Sequence, residues 1–220
     1  MIRYCLLVLL FAVLIGCSDD ETSDFVEPPD GSDPTLNQQA VGVSANDLLS
    51  TTSYSSLRVE LVSVSGFEPT AQTINNLRSF LQARVNKPSG INIVTSEIES
   101  PNLAPYSISD IVSIENEQRS RFNSGDELVV FIFIADGNFS QNENVLGVAY
   151  QNTSFALFGQ KIDEISGSVL QPSSTLVEST VMHHEFAHLM GLVNVGTPLQ
   201  SDHQDEEHGK HCDVENCLMF

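Results

Sequence analysis

Positive charge is what this sequence lacks most. Nine lysines and arginines stand against 29 aspartates and glutamates in 220 residues, a net charge of −20. A surface that acidic repels nucleic acid and anionic lipid headgroups, which excludes both as partners. It suits a solvated protein outside the cytoplasm. Long apolar runs are also missing: the longest at the N-terminal end, residues 6–15, is too short to span a bilayer. There is no internal repeat, and cysteine is confined to positions 5, 17, 212 and 217. What remains, 41% hydrophobic and 17% charged residues, is ordinary for a globular chain long enough to bury one core.

The first 16 residues have the shape of an export signal, with Arg3 before the apolar stretch. The stretch closes on Leu14-Ile15-Gly16-Cys17, which resembles the lipobox of bacterial lipoproteins. The resemblance implies a lipoprotein signal peptide over residues 1–16, acylation of Cys17, and a place in the bacterial cell envelope. The chain is then lipid-anchored to the outer membrane and faces the periplasm or the cell surface. Several acyl chains, each CH₂ worth about 0.8 kcal/mol of membrane affinity, hold a protein firmly. The Ser18-Asp19-Asp20-Glu21 run resembles surface-export signals of some lipoproteins. Residues 17–46 are rich in Asp, Glu, Pro, Ser and Gly without apolar periodicity, and read as a disordered acidic tether. Residues 47–220 are then the folded domain.

Within that domain, alternating Leu57, Val59 and Leu61 predict a strand. Pro69 and Thr70 open a helix striped by Ile74, Leu77, Leu81 and Val85. Residues 91–98 read as a second strand, and Ser107 caps a helix carrying Ile108, Ile111, Val112 and Phe122. The unbroken apolar run 128–135 predicts a strand buried on both faces. Two shorter strands follow, at 145–150 and 154–158. A last helix begins near Thr175, where Thr175-Leu176-Val177-Glu178 reads as a capping box. The order predicts an α/β (α+β) fold: a mixed sheet of about five strands with helices packed on it.

All six histidines fall between positions 183 and 211. Among them stands His184-Glu185-Phe186-Ala187-His188 on the predicted last helix. Residues four apart share a helix face, so both imidazoles can reach one metal ion, with Glu185 beside it as a non-ligand. That is the arrangement of a zinc-dependent hydrolase, in which the glutamate is general base. Gly191 extends the pattern to His-Glu-x-x-His-x-x-Gly, and supplies the left-handed turn that lets a downstream ligand fold back.

Followed by a further ligand and a methionine turn, this pattern is the metzincin signature. The run His211-Cys212-Asp213-Val214-Glu215-Asn216-Cys217-Leu218-Met219 resembles the archaemetzincin pattern of His-Cys, four residues, Cys, one residue and Met. The chain also resembles a group of bacterial lipoprotein membrane metalloproteases. The resemblance implies a metzincin-like twisted sheet with an active-site helix, His184, His188 and His211 as zinc ligands, and Glu185 as base. It also implies Met219 as the C-terminal Met-turn residue, and a monomer acting on a protein or peptide substrate aligned on the strand near 145–150. Cys212 and Cys217 pair as a disulfide or hold a second metal. His203 and His208, with Asp202, Asp205, Glu206 and Glu207, take a second cation or solvate a loop. His183 is off the ligand face.

The sequence departs from that pattern in three places. Residues 193–210 are an insert before the third ligand. Asn194 occupies the position at which most metzincins carry that ligand. Phe220 follows Met219 directly, where metzincins continue into another helix. Two rival readings stay open: a gluzincin-type protease with Glu206 or Glu207 as third ligand, and a non-catalytic zinc-binding surface lipoprotein.

Overall fold

A computed structural model describes residues 32–220; Cys5, Cys17, the export signal and the first part of the expected tether lie outside them. The sheet is mixed and five-stranded. Its strands are β1 (Ser56–Val64), β2 (Gly90–Ile98), β3 (Glu127–Ala135), β4 (Gly147–Gln151) and β5 (Ser154–Phe158), in the order β2-β1-β3-β5-β4. The first three pairings are parallel, and β4 closes the edge antiparallel to β5. The run expected to be buried on both faces is β3, at the centre, where every residue from Leu128 to Ala135 is buried.

Two of the parallel connections are helical, and the third, from β3 to β5, runs through β4. α1 (Ala45–Leu49) precedes β1, α2 (Ala71–Gln82) joins β1 to β2, and α3 (Ile108–Gln118) joins β2 to β3. A short α4 (Gly159–Glu164), which the sequence did not announce, follows β5 and leads to α5 (Ser174–Leu189). One sheet face carries Leu57, Val59, Leu61, Val130, Ile132 and Leu157 against α2 and α5. The other carries Val62, Phe131, Phe133 and Phe158 against Ile111 and Ile114 of α3. Alternation along each strand thus feeds two cores.

Local signals set the helix starts. Thr70 caps α2 by accepting from the Thr73 amide. Ser107 and Asp110 form a reciprocal capping box on α3. Phe122 lies beyond α3, because Arg119 is already extended and its guanidinium turns to bond Glu115 and the Val129 carbonyl. The start of α5 corrects the sequence reading. Ser173, not Thr175, is the cap and accepts from Leu176 N, while the proposed box partner Glu178 instead accepts from Thr73 of α2.

The tether reading is also corrected at its C-terminal end. Residues 34–37 form a 3-10 turn, and Asn37 is fully buried. Its amide donates to Asn123 Oδ1 (2.9 Å), the Val129 carbonyl (3.0 Å) and Thr153 Oγ1 (3.0 Å). Asn152, in the β4–β5 turn, donates to the Leu36 carbonyl and to Ser44 Oγ. Polar composition here marks a buried amide network, not solvated chain.

Candidate metal centre

α5 lies along one face of the sheet beside β4 and β5. Phe186 packs edge-on to Phe155 of β5, and Met182 and Leu189 enter the same core. With Phe186 turned inward, His184 and His188 fall on the opposite side. The helix then stops in a Schellman turn: Leu192 N bonds the Ala187 carbonyl and Gly191 N the His188 carbonyl, with Gly191 at φ +82°. A Cβ on Gly191 would come 2.3 Å from Thr197 Oγ1, so packing as well as backbone conformation requires glycine.

Beyond the turn the chain crosses back under α5. Asp213 N bonds the His203 carbonyl, Asp205 N the His211 carbonyl, and Cys212 N the Met219 carbonyl at 2.6 Å. Met219 and Cys212 are buried with Ala187 and Val193, forming a small apolar floor beneath the helix. This brings His211 to His184 and His188, and the three ring nitrogens lie within 4.8 Å of one another.

Asn194 does not reach this group; its amide donates to Gln204. Glu206 and Glu207 are exposed in the loop and do not reach it either. His208 pairs with Asp205 at the surface, His203 stands 3.4 Å from Cys212 Sγ, and His183 stacks on Phe80 of α2. Cys212 and Cys217 are both free thiols. Among the described residues no second group of three such donors gathers within reach of one ion.

The three imidazoles fit a cation. His184 Nδ1–H donates to the Leu218 carbonyl (2.8 Å) and His211 Nδ1–H to the His208 carbonyl (3.2 Å), which leaves each Nε2 as a bare lone pair. His184 Nε2 and His188 Nε2 lie 3.2 Å apart. Nitrogens bound tetrahedrally at about 2 Å from one ion sit roughly 3.3 Å from each other. Burial, then the neighbouring His184 and His211, hold His188 down to about 3, so it is neutral at any ordinary pH. Metal ligation needs that form.

Glu185 faces β4, not the imidazoles' centre. Gly147 permits this: a Cβ there would sit 2.8 Å from both Glu185 Cγ and Oε1. Burial pushes the Glu185 carboxyl up to about 8, against a hydrogen bond from the Ala149 amide that lowers it. The edge strand is held from behind by Tyr150, whose hydroxyl donates to Glu115 of α3 (2.7 Å). Sequence reading did not single out Gly147 or the Leu218 carbonyl. A glycine opening a strand beside a motif glutamate is a weak signal, and a backbone carbonyl leaves none.

No family model matches the chain, and no curated protein matches it. Among solved structures, metalloproteinase-II from Bacteroides fragilis is similar in fold, at 16% identity and a TM-score of 0.44. The match covers 78% of this chain and 48% of that one, so this chain spans about half of that protein's length. A likeness at this level passes no chemistry to this chain, and the site rests on its own side chains.

Proposed function

We propose that the chain is a zinc-dependent endopeptidase, with His184, His188 and His211 as ligands and Glu185 as general base. The observation that carries this reading is a buried, non-ligand carboxyl group next to three converging imidazoles, two of which, His184 and His211, have their lone pairs aimed by backbone carbonyls. A purely structural metal site has no use for that carboxylate.

Zinc, when bound, supplies a Lewis acid for water and for a peptide carbonyl. The protein's own groups do the rest. Glu185, buried against Gly147 of β4 and ionised by the charge of a bound cation, is placed to accept a proton from water and to hand it to the leaving amine. β4 is the sheet edge beside it, and an extended substrate adds to that edge by backbone hydrogen bonds. A cavity of about 460 Å³ beside Glu185, lined by Leu146, Val181, Leu218 and Phe220, accommodates an apolar side chain. Met219, in the floor under the site, takes the Met-turn role. Cys17 carries the lipid that places the enzyme on the envelope.

Glu185→Gln keeps all three imidazoles and removes the base. The variant is expected to retain zinc by mass spectrometry and to lose peptidase activity by on the order of 10²–10⁴-fold. Equal activity in the two proteins would return the chain to the non-catalytic zinc-binding reading.

A further inference from the structure

The cleft has two halves with different chemistry. The apolar cavity described above shares Val145, Gly147, Glu185 and His211 with a second cavity of about 240 Å³. The second runs along Val148 and Ala149 of β4 to Val41, Phe139 and His188, and Lys210 lines it. No lysine or arginine lines the first cavity. Lys210 is one of only nine basic residues in a chain with 29 acidic ones. Among the described residues, Arg58, Arg119 and Lys161 pair with carboxylates; Lys210 does not, and of the unpaired basic residues Arg78, Arg84, Lys87, Arg121 and Lys210 it alone lines the cleft.

Its backbone is also set apart. Lys210 sits at φ +77°, a region that side chains other than glycine, asparagine and aspartate enter at a cost. The turn that forces it there is closed by Asp205 N on the His211 carbonyl and His211 N on the His208 carbonyl. The same turn delivers His211 to the other histidines. Lys210 shares the cavity lining with His188, an imidazole held down by burial first, then by His184 and His211, and last by the Lys210 charge. Lys210 is exposed where it borders this cavity, and an unpaired ammonium there, in an otherwise strongly acidic protein, is a local attractor for anions.

We propose that Lys210 is a specificity-determining residue whose ammonium takes a carboxylate of the substrate in the cavity on the His188 side of the cleft. This rests on the peptidase reading and deepens it. The substrate is then a peptide with an apolar residue in one half of the cleft and a carboxylate in the other. The carboxylate is either an Asp or Glu side chain or the peptide's own C-terminus.

Three matched fluorescent peptides separate these sources. One carries Glu with both ends blocked, one has Gln in its place, and one is the Gln peptide with a free C-terminus. Their binding to zinc-loaded Glu185→Gln protein is read by anisotropy at low salt. A partly exposed charge pair gives roughly a fivefold preference. The Glu peptide, or the free-terminus peptide, is expected to bind about fivefold tighter than the blocked Gln peptide. Lys210→Met should abolish the preference, and Lys210→Glu should reverse it in favour of the blocked Gln peptide, with zinc content unchanged in each. Equal binding of the three peptides overturns the proposal, as does no binding, or a preference that survives Lys210→Met. If the preference depends on Lys210 but the parent chain cuts no peptide, the peptidase reading falls and the Lys210 assignment stands.

Discussion

Glu185 has two consequences that can be measured apart from catalysis. Burial raises its carboxyl from 4.5 to about 8 in the folded chain, while the unfolded chain ionises it near 4.5. The stability this group contributes is therefore complete below 4.5 and is lost as pH rises through 8. His183, His184 and His188 are all lowered by burial, so they act in the opposite sense, destabilising the fold as pH drops below 6.5. Between pH 6.5 and 8 the histidines still add a slope of opposite sign, but it is common to wild type and Glu185→Gln and cancels when the two are compared. In metal-free protein, wild type is expected to lose about 2 kcal/mol more than Glu185→Gln over that interval. Urea midpoints at the two pH values check this, and parallel losses would mean that the carboxyl is not held up. The residue scale was also where the sequence was most legible. His184 and His188 stand four apart, so their convergence follows from 3.6 residues per turn, with Glu185 one step round the helix toward β4. The convergence of His211 came only by resemblance, because it depends on how an 18-residue insert folds back, and composition does not encode that path.

Among the elements, β4 bears most directly on the site. Its first residue, Gly147, lies against Glu185 and Val181 with no room for a methyl group. Gly147→Ala is expected to push the Glu185 carboxylate off its position and leave the zinc content unchanged. A displacement near 1 Å can cost about 10²-fold in rate, so kcat/KM should drop by roughly one to two orders of magnitude. A variant that turns over peptides like wild type would show that Glu185 does not depend on the edge strand. Strands and helices were mostly readable, because β3 and the stripe of α2 bury whole faces. The start of α5 was misread because Ser173 and Thr175 are both competent caps, and what distinguishes them is the pairing of Glu178 with Thr73 on another helix. That is a tertiary contact, invisible to a local pattern.

Taken whole, the molecule carries a net charge of −20, which sets how it can meet a membrane. Adsorption to anionic headgroups is unfavourable for such a surface, so the lipid proposed on Cys17 is expected to supply any stable association. Cys17→Ser is expected to move the chain from the membrane to the soluble fraction after cell disruption, at low salt as well as high. If it remains with membranes, another segment anchors it. The boundary between tether and domain was misplaced for a reason at this same scale. Residues 34–44 are held by Asn37, Asn123, Asn152 and Thr153, residues drawn from three distant parts of the chain.

That clasp has a mechanical side. The segment that leaves the domain toward its N-terminal end is laced to the β4–β5 turn at Asn152 and Thr153. It also presses on the loop after α5 so closely that a Cβ on Gly42 would fall 2.1 Å from the Val195 carbonyl oxygen. A pull on that end would load these hydrogen bonds, which hold the turn after β4, the strand that flanks Glu185. The domain's N-terminal segment and its cleft share a fastening.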